Sequence, residues 1–303
     1  MRALVVAHEE AGRPVRFADV EEPVPSTSEV LVEIRHIGLN FGELNYVHQW
    51  PAGAVHGHDA AGVVVRATAD GSGPPEGTRV ALGMTPHAWA ERVAVHPASL
   101  GTVPDGVDLA DAATLGIAGV TALRVLRTRS LLARDVLITG ASGGVGHFAV
   151  QLAALAGARV TALVGAPERA AGLRELGATQ VLTDLAEAED RFDLVLDTVG
   201  GPLVAQAWDS LAEGGTVHVV GYSSGRDTTF PSGVLFGFGE PRAITTYGDM
   251  TPTGGELTDL LGLMATGRLA APVGLRGDWQ DVDAAVRALF AREVHGKVVL
   301  DVA

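Results

Sequence analysis

The sequence from residue 135 to residue 153 reads Asp135-Val-Leu-Ile-Thr-Gly140-Ala-Ser-Gly-Gly-Val-Gly146-His-Phe-Ala-Val-Gln-Leu-Ala153. Its apolar start is typical of a buried strand, and the apolar residues after the glycines recur at helical spacing. The turn between them carries almost no side chains, so a large anion can approach free N–H groups at the start of the helix. A second apolar strand, 159–164, follows at the distance of a β-α-β unit, and the pattern therefore favours a dinucleotide-binding site.

The same turn permits a second interpretation. Gly140-Ala-Ser-Gly-Gly144 also matches the nucleophile elbow G-x-S-x-G of α/β-hydrolases. Ser142 would then be a nucleophile, with partners in the right chain order at Asp197 and at His218 or His295. The extra glycines favour the dinucleotide site, because a hydrolase needs neither close approach to a diphosphate nor a glycine for helix–strand contact.

Composition narrows the classes of function. A chain of 303 residues predicts two domains. Its net charge of −14 disfavours nucleic acid and anionic membranes as partners. The absence of cysteine excludes disulfides, a thiol nucleophile and cysteine-ligated zinc. No apolar run is long enough to span a bilayer, and we expect a cytoplasmic protein.

Two patterns divide the chain. Residues 1–107 are β-rich with many turn signals, and residues 108–267 alternate between helix and strand, which predicts an α/β fold with a doubly wound parallel sheet. The tail, 268–303, ends in a strand that we expect to return to the first domain. Helices are predicted at 108–128, 143–157, 167–176, 201–212 and 254–267. Strands of the second domain are predicted at 135–139, 159–164, 179–182, 192–197, 215–220 and 242–246.

This organisation resembles the medium-chain dehydrogenase/reductase superfamily, in particular its zinc-free quinone reductase and enoyl reductase branch. Eight motifs in register over about 260 residues carry the resemblance. The motifs begin at Ile37-Gly-Leu-Asn40, Gly57-His-Asp59, His87-Ala-Trp89-Ala-Glu91, Val103-Pro-Asp105, Ala141-Ser-Gly-Gly-Val-Gly146, Asp197-Thr-Val-Gly-Gly201, Gly214-Gly-Thr-Val-His218 and His295-Gly-Lys297. The resemblance implies a Rossmann sheet for 108–267 and a GroES-like substrate domain for 1–107 with 268–303.

The resemblance also bears on the cofactor. An acidic residue for the ribose 2′-OH of NAD is expected near Val164 or Gly165 and is absent there. Arg169 lies in the register where quinone reductases carry a Lys or Arg for a 2′-phosphate, which favours NADPH. The remaining cofactor contacts implied by register are Asn40, Thr121, Ser142, Gly143, Gly144, Val145, Gly165, Gly221, Tyr222, Ser223 and Lys297.

Zinc is not expected. Zinc-dependent members use a Cys where Asn40 stands here, and Asn is a poor zinc ligand. A site made from His48, His56, His58 and Glu43 is the alternative.

Reduction also needs a proton donor. Enoyl reductases of the family often carry Tyr-Pro shortly after the Asn segment, and this chain has Trp50-Pro51, whose indole can only donate a hydrogen bond. Asn40, Trp50, Tyr46 and His48 are therefore the catalytic candidates. Further possible donors are His87, Tyr222, Tyr247 and water. Candidate aromatic lining comes from Trp89, Phe236 and Phe238.

We therefore expect an NADPH-dependent, zinc-free oxidoreductase that transfers hydride to a quinone or an α,β-unsaturated carbonyl. The alternatives are a specialised enone or enoyl reductase of secondary metabolism and a dinucleotide-binding sensor without turnover. The β-prone segment 242–247 favours a homodimer joined at the edge of the nucleotide-domain sheet. No nucleic acid or membrane partner is expected.

Overall fold

The structure is a computed structural model that describes residues 1–8, 13–236 and 239–302. Phe238, an aromatic lining candidate, lies outside these residues. The chain forms two compact units, residues 1–120 with 250–303 and residues 121–249. The sequence-based boundaries, after residues 107 and 267, thus assign 108–120 and 250–267 differently from these units.

The elements are numbered in chain order. The strands are β1 Arg2–Val6, β2 Val15–Asp19, β3 Val30–Leu39, β4 Asp59–Arg66, β5 Arg79–Leu82, β6 Arg92–Val95, β7 Leu100–Thr102, β8 Asp135–Thr139, β9 Arg159–Leu163, β10 Gln180–Leu182, β11 Phe192–Asp197, β12 Leu211–Val219, β13 Ala243–Thr246, β14 Val273–Asp278 and β15 Lys297–Asp301. The α-helices are α1 Phe41–Asn45, α2 Leu109–Ala112, α3 Val120–Leu126, α4 Gly144–Leu155, α5 Pro202–Asp209, α6 Gly254–Ala265 and α7 Val282–Phe290.

Six strands form the sheet of the second unit, in the order β10-β9-β8-β11-β12-β13, and every pair is parallel. The central strands bury their side chains on both faces, as the apolar runs around Val136 and Leu194 predict. The chain winds outward in one direction from β8 and in the other from β11. This reversal is where doubly wound sheets bind ligands, at the carboxyl ends of the strands. The predicted α/β class with a Rossmann sheet is confirmed.

The turn from β8 to α4 depends on close backbone contacts. Gly140 has a φ of +60°, which favours glycine. A Cβ on Gly146 would lie 2.4 Å from the carbonyl oxygen of Gly140, so a larger residue would push the helix away from the turn. Gly143, by contrast, is half-exposed, and its Cβ would meet only that oxygen, at 3.3 Å.

A seven-stranded sheet organises the first unit, in the order β14-β15-β3-β4-β5-β7, with β6 also paired with β3. β15 runs antiparallel to β3, with Val298 opposite Leu39, and β3 runs antiparallel to β4, with Gly38 opposite Asp59. This register places the start of β15, the end of β3 and the start of β4 side by side, at the same end of these three strands. The polar side chains described below lie at that end.

Two predicted helices differ from the structure, and one helix of the structure was not predicted. Residues 167–176 hold only a 3-10 turn at Pro167–Ala170, because Ala171 already has an extended ψ of 136° and Gly172 follows with a φ of +78°. The predicted helix 108–128 is broken by a π-helical segment, Leu115–Gly119. The tail contains α7, which the sequence analysis did not predict.

Within the described residues, no helix is long and apolar enough to cross a membrane.

Candidate active site

Five polar side chains form a buried cluster in the first unit, here called the polar cluster: Asn40, Glu43, His58, Asp59 and Lys297. Asp59 is fully buried and Lys297 is 2% exposed, while Glu43 and His58 are also buried. Burying four ionisable groups is costly unless they pair with one another. The cluster is therefore a defined structural feature rather than a solvated surface.

Asn40 connects the members of the cluster. It precedes α1, and its backbone N–H donates to Oε2 of Glu43 over 3.1 Å, the contact of a capping box. Its side-chain Nδ2 donates to Oε2 of Glu43 over 2.7 Å and to Oδ2 of Asp59 over 2.8 Å. Because an amide has only two N–H donors, Asn40 has none left for a ligand. Only a lone pair on Oδ1 stays available for the predicted nicotinamide contact.

Lys297 and Asp59 form the ion pair of the cluster. Nζ of Lys297 donates to Oδ2 of Asp59 over 3.0 Å and to Oδ1 of Asn40 over 2.5 Å. Oδ1 of Asp59 accepts the backbone N–H of Ile117 over 2.7 Å. Burial raises the pKa of Asp59, and the Lys297 ammonium opposes that rise. Both carboxyl oxygens accept hydrogen bonds, so we assign Asp59 as the carboxylate.

Glu43 and His58 form a second pair, in which Nδ1 of His58 lies 2.8 Å from Oε1 of Glu43. Burial favours the neutral form of each group. The hydrogen bond and charge of His58 outweigh burial at Glu43 and hold the pKa of that carboxyl below its usual range. Burial likewise fails to lower the pKa of His58, which the hydrogen bond and charge of Glu43 raise. Both directions indicate a carboxylate paired with an imidazolium.

Aromatic rings surround this pair. His56 donates from Nε2 to the carbonyl oxygen of Glu43 over 3.1 Å, and burial lowers the pKa of His56. The Trp50 ring lies 5.0 Å from the His56 ring and 5.9 Å from the His58 ring, and Trp89 meets His56 at 5.2 Å. Trp50 is therefore brought to the polar cluster, although it can offer only its indole N–H.

The other two catalytic candidates lie farther along the same segment. Tyr46 directly follows α1 and is half-buried, and His48 is exposed on the 3-10 turn Val47–Gln49. Their rings lie 6.3 Å apart. Across the described ranges, neither side chain makes a hydrogen bond to the polar cluster.

Three members of the cluster were not among the predicted catalytic residues: Asp59, and Glu43 and His58, which were considered only as ligands of an alternative zinc site. The spacing from Asn40 to Glu43 was the available signal, because Asn-x-x-Glu before a short helix is a capping-box pattern.

The cofactor candidates of the second unit gather at the glycine turn. Gly143 precedes α4 without a side-chain cap, so the first N–H groups of this 12-residue helix can face an anion. Ser142 is buried beside them, while Gly144 and Val145 are half-buried. Nε of Arg169 donates to Oγ of Ser142 over 2.8 Å, which brings a guanidinium to the turn. These residues fit an anionic dinucleotide.

The remaining candidates follow the sheet. Gly165 is exposed just after β9, with open space where a Cβ would stand. Gly221 follows β12, and a Cβ there would lie 2.5 Å from the carbonyl oxygen of Thr198. Tyr222 is 37% exposed, Ser223 is half-buried, and Thr121 is buried on α3.

The hydrolase interpretation has little support in the geometry. Ser142 accepts a hydrogen bond from Arg169, and Asp197 accepts from Thr139 over 2.5 Å. The two ring nitrogens of His218 contact the hydroxyls of Thr128 and Thr245, at 3.2 and 2.8 Å. The geometry thus gives Asp197 and His218 partners other than each other.

The cluster's donors do not suit a zinc ion. The Lys297 ammonium already lies within hydrogen-bond distance of Asp59, where it would repel a divalent cation, and Nδ1 of His58 is committed to Glu43. In the part of the chain that the structure describes, no group of three or more His, Asp or Glu residues could hold a metal ion.

Two family descriptions match the chain. Residues 26–129 match the alcohol dehydrogenase GroES-like domain, and residues 144–265 match the zinc-binding dehydrogenase family. Erythronolide synthase EryA2 of Saccharopolyspora erythraea is 35% identical over 83% of this chain, which spans 7% of that protein. Prostaglandin reductase-3 of Mus musculus is 29% identical over 68% of this chain, which spans 59% of it. A quinone oxidoreductase of Pseudomonas aeruginosa is 29% identical over 94% of this chain, and the match spans 95% of that protein's length.

Solved structures are also similar to this chain over nearly its whole length. A quinone oxidoreductase from Pseudomonas syringae pv. Tomato superposes with a TM-score of 0.87 at 26% identity, covering 99% of both chains. A mycobacterial protein complexed with NADPH also superposes with a TM-score of 0.87 at 26% identity, covering 99% of this chain and 100% of its own.

Replacing Lys297 by Met should lower the free energy of unfolding by about 3–5 kcal/mol, because it leaves the Asp59 carboxylate buried without its cation. The matched control is Arg92→Met, which breaks the exposed pair with Glu22 and should cost less than about 1 kcal/mol. Urea denaturation measures both. Adding Asp59→Asn to Lys297→Met should restore part of the loss. Equal costs for the two single variants would contradict this account.

Proposed function

The chain belongs to the medium-chain dehydrogenase/reductase superfamily, in its quinone oxidoreductase branch, and on this premise we propose that it is an NADPH-dependent, zinc-independent oxidoreductase acting on a quinone or an α,β-unsaturated carbonyl. The observation that carries the proposal is the Arg169–Ser142 contact at the glycine turn. It brings a cation to the turn where the helix start can bind a diphosphate. A 2′-phosphate is the part of NADPH that such a cation recognises.

NADPH, when bound, supplies the hydride. The N–H groups around Gly143 bind its diphosphate, and Arg169 binds its 2′-phosphate, held in place by Ser142. Exposed Gly165 presents no carboxylate that would repel this phosphate. In the first unit, the Lys297 ammonium supports a zinc-free site, since it supplies a positive charge beside the Asp59 carboxylate.

Two other functions were open from the sequence alone: a specialised enone reductase of secondary metabolism and a binding protein without turnover. The similarity to quinone oxidoreductases over nearly whole chains favours neither of them.

Arg169→Ala should weaken NADPH binding by about 1.5–3 kcal/mol and leave NADH binding nearly unchanged, because the lost contact is a hydrogen bond to a charged phosphate. Titration followed by tryptophan fluorescence measures both affinities. Arg174→Ala is the matched control, since its guanidinium donates to the carbonyl oxygen of Thr179 instead. Wild-type protein that binds NADH as tightly as NADPH would refute the cofactor preference.

The activity itself is tested by NADPH oxidation with a panel of small quinones and enones, before and after exhaustive chelation. We expect turnover that chelation leaves intact. Stoichiometric zinc that is lost together with the activity would refute zinc independence. Turnover with no member of the panel would refute the proposed reaction.

We also propose a homodimer joined through β13. This strand is at the end of the parallel sheet and pairs with β12 on one side. Edges of this kind tend to be paired. Light scattering at micromolar concentration should give a mass of two chains, and a one-chain mass would rule the dimer out.

A further inference from the structure

In the described part of the chain, one ring nitrogen of the polar cluster has no hydrogen-bond partner, whereas each of the other side-chain nitrogens and oxygens of the cluster has at least one. Nδ2 of Asn40 has used both of its protons, and each oxygen of Asp59 accepts a hydrogen bond. Both oxygens of Glu43 are engaged, by Asn40 and by His58. Lys297 donates twice into the interior and is 2% exposed.

Nε2 of His58 is the exception. Within residues 1–8, 13–236 and 239–302 it has no hydrogen-bond partner, and it does not belong to the fully buried polar atoms that lack one. The His58 side chain is 9% exposed, so Nε2 is not fully enclosed, whereas Nδ1 on the other side of the ring is fixed by Glu43. A ring held at one nitrogen and open at the other has the geometry of a general acid.

The charges of the cluster give His58 its protonation state. Glu43 and Asp59 carry two negative charges, and Lys297 carries one positive charge. A second positive charge on His58 makes the buried group neutral, which is the arrangement that burial favours. The other titratable neighbour is His56, whose ring lies 6.2 Å away and whose pKa burial lowers, so it adds no charge.

We propose that His58 is the proton donor of the reaction, with Glu43 as its positioning residue. The inference rests on the proposed function. Bound NADPH would supply the hydride for the new C–H bond at the β-carbon of the enone and would leave as NADP⁺, while the C=C electron pair would shift toward the carbonyl to give an enolate. Nε2–H of His58 then gives its proton to the resulting enolate, at oxygen or at the α-carbon. His58 becomes neutral imidazole, still hydrogen-bonded through Nδ1 to Glu43, and takes a new proton from water.

This role predicts a pH dependence with a defined sign. The imidazolium is the active form, so kcat stays level below the pKa of His58 and falls as pH rises through that pKa. The carboxylate of Glu43 raises the pKa of His58. In Glu43→Gln that charge is lost and burial dominates, so the fall in kcat should move toward acid pH.

The test compares His58→Gln, Glu43→Gln and His96→Gln with the wild type in NADPH-dependent reduction of a cyclic enone. His58→Gln should lower kcat by about 10²–10⁴-fold, the usual contribution of a general acid, and remove the alkaline fall. NADPH affinity, followed by fluorescence, should stay unchanged. His96 is exposed and its Nδ1 accepts the N–H of Ala98, so its variant should match the wild type.

Several outcomes would overturn the inference. One is a kcat of His58→Gln within twofold of the wild type. Another is a loss of kcat in His58→Gln while the pH profile of Glu43→Gln stays in place, which would assign His58 a structural role only. Stoichiometric zinc in the purified protein would also overturn it.

NMR titration of the His58 ring is a second measurement that needs no turnover and no substitution at His58. It should find an imidazolium at pH 7 in the wild type and a lower pKa in Glu43→Gln. A neutral ring at pH 7 in the wild type overturns the inference even if His58→Gln fails to fold. If no enone or quinone is reduced by the wild type, the proposed function fails, and the NMR result still decides the charge of His58.

Discussion

The Lys297 ammonium is the constraint on which the site of the first unit depends. Without it, the Asp59 carboxylate would be buried uncompensated, and Asn40 would lose the partner of its carbonyl oxygen. With it, Asn40 keeps both amide protons on the two carboxylates, and Glu43 is held where it can orient His58. The same carboxylate of Asp59 also accepts the backbone N–H of Ile117, in the π-helical segment. One buried charge thus fixes side chains and irregular backbone together.

The two units stabilise charged groups in different ways. The second unit offers an anion the N–H groups of a helix start, and its essential property is the absence of side chains at the turn. The first unit has buried ionic groups, each of which must be paired. A glycine turn tolerates few substitutions because its atoms are already in contact, as Gly146 and Gly140 are. A charged cluster also tolerates few substitutions, because removing one charged side chain leaves its partner buried without a compensating charge.

The sequence predicted the parallel sheet well because its signals are local: apolar runs, glycine turns and their spacing. It predicted the helix at 167–176 wrongly, since the extended ψ of Ala171 and the positive φ of Gly172 are not visible in periodicity. It predicted one continuous helix over 108–128, whereas the structure has a π-helical segment there. The backbone N–H of Ile117 in that segment donates to Asp59, which lies 58 residues earlier and which a local pattern does not include. The polar cluster was not predicted as a unit, for the same reason. Asn40 and Lys297 were each selected, but nothing in a linear pattern joins them to each other or to Asp59.

The separation of Lys297 from its partners has a consequence for how the chain is made. Asn40 and Lys297 are 257 residues apart, and Asp59 and Lys297 are 238 apart. During synthesis from the N-terminus, the second unit, a continuous segment, is fully translated while Asp59 and Glu43 still lack their cation. Contacts this distant in sequence form slowly, because a long loop must close first. The second unit can thus fold early during translation, whereas the polar cluster can form only after β15 has left the ribosome.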